Sequence, residues 1–121
     1  MVAVPHYVKS VTLKNSTSHP VKVIATFGSD EMEAEGKKKI QEIRELSPGA
    51  EVSIQEHEYD MGGWTAVAAL YSLEVEHSQD SGLLSKTLYT PSVSGIVDVL
   101  HVDITADESA KSFKVTAVRE S

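Results

Sequence analysis

His101 and Asp103, in the run His101-Val102-Asp103, are the pair of side chains whose spacing comes nearest to that of metal ligands. On a β-strand, positions i and i+2 stand on one face about 7 Å apart, so an imidazole and a carboxylate would be offered together to a metal ion. A third ligand has to come from another strand, with His57 or Glu74 as candidates. The five histidines, His6, His19, His57, His77 and His101, form no HxH or HExxH pattern. Acids at Asp30, Glu31, Glu33 and Glu35 lack the Asp/Asn ladder and central glycine of an EF-hand loop. His101 and Asp103 are therefore the metal-site candidates, weighed against a half-exposed histidine on a polar face.

Hydrolysis needs a nucleophile beside a base, or two carboxylates at a suitable separation. Serine is abundant, but Ser81-Gly82 and Ser94-Gly95 lack the first glycine of G-x-S-x-G. A serine, His101 and Asp103 set can be drawn here as in most chains of this composition, so a hydrolase is the least supported reading. Met61-Gly62-Gly63 opens into a strand with neither a lysine nor a helix N-terminus to cradle a phosphate. Trp64, Tyr59 and Tyr89 are the candidates for a small-ligand site. Trp64 follows a Gly-Gly turn, at a sheet end, where it could stack on a carbohydrate or close the core, the commoner role of a large aromatic. No motif implies a cofactor.

The chain has 121 residues and a formal charge of −7, which favours one domain over 1–121 and opposes nucleic acid and anionic membrane as partners. Lys37-Lys38-Lys39 is flanked by glutamates and reads as a self-neutralising surface. With no cysteine, disulfides, thiolate metal sites and cysteine nucleophiles are excluded. Neither a signal-like apolar run nor a membrane-length segment occurs, so the expected compartment is the cytoplasm, with no membrane partner. Asn15-Ser16-Thr17 matches a glycosylation sequon and reads as a polar turn.

The elements that would position these groups are strands. Alternation predicts strands over 7–14, 21–27, 50–59, 95–105 and 113–119, with Val21, Val23, Ala25 and Phe27 on one face as the cleanest pattern. The run from Trp64 to Glu76 is apolar in both parities and predicts a central strand covered on both sides. Residues 30–46 suit either two charged edge strands around a turn at 35–38 or a helix capped by Asp30 and Glu33. The 77–94 segment is a long polar loop with a short strand near 85–89 or a task of its own.

Short strands, frequent turns and links too short for βαβ units predict an all-β, antiparallel β-sandwich of about seven or eight strands; an α+β fold with a helix at 30–46 is the alternative. It resembles immunoglobulin-like sandwiches in general look, without their Cys, Trp, Cys spacing. The expected function is that of a non-enzymatic intracellular protein acting through protein contacts, by self-association or as an adaptor subunit. A small-ligand module for carbohydrate or metal is the alternative.

Overall fold

A computed structural model describes residues 7–78 and 84–121. The chain runs β1 (Tyr7–Asn15), β2 (Val21–Phe27), α1 (Asp30–Ala34), β3 (Ile40–Leu46), β4 (Glu51–Ile54), β5 (His57–Asp60), β6 (Thr65–Ala68), β7 (Leu70–His77), β8 (Thr87–Tyr89), β9 (Ile96–Asp107) and β10 (Ser112–Glu120). Two four-stranded sheets, ordered β10-β9-β1-β4 and β3-β2-β7-β8, face each other, and β5-β6 forms a separate hairpin. This is a β-sandwich. Its buried residues form one cluster, built on Val8, Val11, Leu13, Leu100, Val102 and Ile104 from the first sheet and Val21, Val23, Phe27, Leu73 and Val75 from the second.

Among the described residues, the strand pairings are antiparallel except that β1 lies parallel to β9, with Leu13 opposite Val102; an isolated parallel bridge also joins Ser85 to Ser112. A parallel pair needs a long connection, and the whole second sheet supplies it. The antiparallel sandwich expected from the sequence stands, with this one parallel pair of strands within it.

The central strand expected from Trp64 to Glu76 is in fact two. At Ala69 the chain leaves the hairpin partner of β5 and becomes β7, which runs between β2 and β8. A register shift against Thr26 and Phe27 then turns both Leu70 and Leu73 inward. Apolar residues in both parities thus reflect a break and a bulge, and β7 carries Tyr71, Glu74 and Glu76 on a solvent-facing outer side. The strand expected over 50–59 likewise divides, β4 joining the first sheet and β5 the hairpin.

Residues 30–46 hold both candidates in part. Ser29, rather than Asp30, caps α1, its side chain accepting from the Met32 amide at 3.1 Å. The helix spans only five residues before β3 pairs with β2. On β3, Glu42 and Arg44 point to the core side of the sheet edge and pair at 2.8 Å, an inward charge that discourages edge-to-edge pairing.

At Gly28, φ is +128°, and a Cβ there would lie 2.5 Å from the Tyr59 hydroxyl oxygen. The glycine lets the hairpin close on the end of β2, where the Gly28 amide donates to Ala69 O at 2.7 Å. His57 also reaches the core, its ring centroid 4.9 Å from that of Phe27.

Candidate functional site

The outer face of the β10-β9-β1-β4 sheet holds His101 and Asp103, which do share a face of β9. Thr12 stands opposite His101 on β1 and Lys14 opposite Asp103, with Ser53 and Glu51 next on β4. The result is a shallow groove of about 420 Å³, also lined by Ser16 and Arg119. His101 Nε2 lies 2.9 Å from Ser121 Oγ, and Arg119 Nη2 lies 3.3 to 3.4 Å from both ring nitrogens. Asp103 is engaged by the Ser16 hydroxyl.

Arg119 is the residue that alternation could not find. Phe113, Val115 and Ala117 share its parity, which would turn it inward; a bulge between Ala117 and Arg119 places it opposite His101 on the outer face instead. A guanidinium against the imidazole opposes a cation there, and it occupies the place where a catalytic dyad would put a carboxylate. The proposed third metal ligands do not join the groove: His57 lies on the core side of the β5-β6 hairpin, 4.0 Å from Glu42, and Glu74 lies on the other sheet, 2.7 Å from Lys86 Nζ. Among the described residues, no group of three or more His, Asp or Glu side chains could hold a metal ion.

The ligand-binding candidates fall on three elements. Tyr59 is buried, and its hydroxyl donates to Lys38 O at 2.8 Å; burial pushes that hydroxyl's pKa up. Trp64 is 62% exposed at the hairpin tip. Tyr89 is half-buried on β8, its pKa raised by burial and then by the charge of Glu120. Of the 77–94 loop, 77–78 and 84–94 are described, with His77 ending β7 and β8 lying within the second part, whereas 79–83, like His6, lie outside the described residues.

The second sheet's outer face has a different chemistry. Ile43, Ile24, Glu74 and Leu88 form one row across β3, β2, β7 and β8. Ile43 and Leu88 are exposed, at 51% and 66%. Around them lie ion pairs of both orders, Lys22 with Glu76 at 3.9 Å and Lys86 with Glu74 at 2.7 Å. The Glu74 hydrogen bond and charge raise the Lys86 pKa. No apolar row crosses the outer face of the first sheet at the matching level, where the residues are Ser53, Thr12, His101 and Arg119.

Below that row, Lys39 Nζ sits 4.3 Å above the Tyr71 ring and 2.7 Å from Asp30 Oδ1. The Lys39 hydrogen bond and charge hold the Asp30 carboxyl below its usual range. A carboxyl with a depressed folded pKa contributes stability above its unfolded pKa and loses it as pH falls through the folded one. Lys39→Gln should therefore move the Asp30 titration, followed by NMR, up toward the ordinary carboxylate range. An unmoved midpoint would show that the contact does not persist in solution, where exposure and salt screen it.

No family model matches the chain, and no curated protein matches it. Among solved structures, a protein from Eubacterium rectale studied by NMR is similar at 19% identity, with a TM-score of 0.52 over 92% of this chain and 88% of that one. Serratia marcescens Lip, described as a membrane bound component of the Type VI Secretion System, has 13% identity and a TM-score of 0.48 over 92% and 99%. The T6SS lipoprotein TssJ1 from Pseudomonas aeruginosa has 12% identity and a TM-score of 0.45 over 92% and 97%. At these identities the likeness concerns the fold. The expected cytoplasmic, intracellular setting and the exclusion of a membrane are withdrawn: the last two structures are described as a membrane bound component and a lipoprotein, which that expectation does not match, and neither description is carried over to this chain. Among the described residues, no helix is long and apolar enough to cross a membrane.

Proposed function

We propose that this chain acts through protein contacts, and that the outer face of the β3-β2-β7-β8 sheet packs against the same face of a second copy. The observation that carries this reading is the row on that sheet in which Ile43 and Leu88 are exposed and Ile24 is half-buried. Apolar side chains on three of the four strands, with Glu74 between Ile24 and Leu88, gain free energy by leaving water together, at about 25 cal/mol per Å². The rim supports a like partner. Because it carries both Lys22 and Lys86 and both Glu74 and Glu76, a two-fold axis can set lysines of one copy against glutamates of the other.

Sedimentation equilibrium over a range of concentrations tests this. The native chain is expected to show a monomer–dimer equilibrium, and Ile43→Lys or Leu88→Lys to be monomeric. Both positions are exposed, so each variant should keep its unfolding free energy within about 0.5 kcal/mol. A native protein that stays monomeric at every concentration, or variants that still dimerise, would refute self-association through this face.

A further inference from the structure

We infer that the groove on the outer face of the β10-β9-β1-β4 sheet binds a small monocarboxylate, whose carboxylate is held by Arg119 and His101. This groove is on the other sheet from the row proposed for self-association, so neither reading rests on the other. Arg119 reaches the groove through the bulge between Ala117 and Arg119, a device that re-aims a side chain beside a site. Its Nη2 lies 3.4 Å from Nδ1 and 3.3 Å from Nε2 of His101. A hydrogen bond in the ring plane would reach one nitrogen and leave the other much further off, so the near-equal distances lay the guanidinium nitrogen over the imidazole face. Stacking holds the guanidinium in place without using up its donors. Among the described residues, no carboxylate lies within ion-pair distance of Arg119, and the imidazole is its side chain's one polar contact. The planar fork is left for an acceptor from outside, and a carboxylate matches it with two parallel bonds.

The groups around this pair suit one negative charge and no more. Thr12 stands opposite His101, its hydroxyl 3.0 Å from Ser53 Oγ, and Ser121 Oγ is 2.9 Å from His101 Nε2. Hydroxyls rotate to donate or accept, so they can turn toward a bound oxyanion. One row along the strands, about 7 Å away, stand Glu51, Lys14 and Asp103, with the lysine at the register position between the two acids. Asp103 is also engaged by the Ser16 hydroxyl. Both acids, and a formal charge of −7, repel a dianion such as phosphate more than a monoanion. Val118, exposed within the bulge, lines the same groove and offers contact to a short apolar body.

Isobutyrate and its neutral isostere isobutyramide, each titrated into the intact chain at constant ionic strength and followed by NMR, test this. Saturable amide shifts centred on Thr12, His101 and Arg119 are expected with isobutyrate and none with isobutyramide. Arg119→Gln should weaken isobutyrate about tenfold, the loss of a charged hydrogen-bond donor. Lys38→Gln removes the same charge from the segment between α1 and β3 and should leave the affinity unchanged; both side chains are exposed, so both variants keep the fold. The inference fails if isobutyrate gives no saturable shift, if isobutyramide moves the same amides as strongly, or if the Arg119→Gln chain binds like the native one. Equal weakening in the two variants would reduce the effect to net charge, and tighter binding of inorganic phosphate than of isobutyrate would contradict a monoanion site; either result overturns it.

Discussion

Replacing Asn15 with alanine is expected to destabilise the fold by about 2–4 kcal/mol, measured by urea unfolding. Asn15 is fully buried at the end of β1. Its Nδ2 donates to His19 O at 2.8 Å and to Leu46 O at 3.1 Å. Oδ1 accepts from the Thr17 amide at 3.0 Å and the Thr17 hydroxyl at 2.7 Å. Its backbone joins the next turn too, donating to Ala50 O and accepting from the Gly49 amide. One side chain thus ties together the β1–β2 turn and the end of β3, and its removal strands donors and acceptors that water cannot reach. With both Nδ2 hydrogens committed and no exposure, this asparagine is also unavailable as the glycosylation acceptor its sequon suggests.

A second variant separates this mechanism from a simple loss of volume. Asn15→Asp keeps an acceptor for Thr17 but turns a carboxylate oxygen toward two carbonyls. At neutral pH it should be less stable than Asn15→Ala, because a buried unpaired charge costs more than a missing bond. Protonation restores one donor, so the carboxyl's folded pKa lies above its unfolded value, and the deficit is smallest below the unfolded pKa of about 3.9 and complete above the folded one. A pH-independent gap between the two variants would contradict the assignment.

Phe27→Ala is expected to cost about 3–5 kcal/mol, and Phe27→Leu much less. Phe27 is fully buried at the end of β2, between Ile40 of β3 and Leu70 of β7, with His57 against its ring. Truncation opens a cavity that rigid strands on both sides cannot collapse into. Because His57 is one of the hairpin's holds on the core, amide exchange in Phe27→Ala should rise over 57–68 more than over β9. Uniform exchange across the molecule would mean that the hairpin does not depend on this ring.

How far these positions could be read from the chain varies with what fixes them. Val21–Phe27 alternates cleanly because β2 is central in its sheet, buried on one face and half-buried on the other, so period-2 patterning and burial coincide. His101 and Asp103 share a face for the same local reason. Tyr59 and Trp64 flank one turn in the sequence and are both ligand-site candidates there, yet the hairpin's pleat buries the first and its tip exposes the second. On β9, Val97 and Leu100 are both buried although alternation places Leu100 with Asp98. There the Asp98 and Val99 amides both donate to Ser121 O, at 3.0 and 3.1 Å, and the extra residue switches the phase. The acceptor lies 22 to 23 residues further along the sequence, so no local pattern signals it.

By itself, the amino-acid sequence determined the strand-rich architecture, the paired faces of most strands and the acidity of the surface, because each follows from a side chain's own polarity and its immediate spacing. The tertiary structure alone decided that Trp64–Glu76 divides at Ala69, that β1 runs parallel to β9, that Arg119 reaches His101, and which sheet carries its apolar row outside. Bulges, breaks and pairings between distant segments are settled by where backbone donors find acceptors once the sheets face each other, and that competition has no counterpart in neighbouring residues.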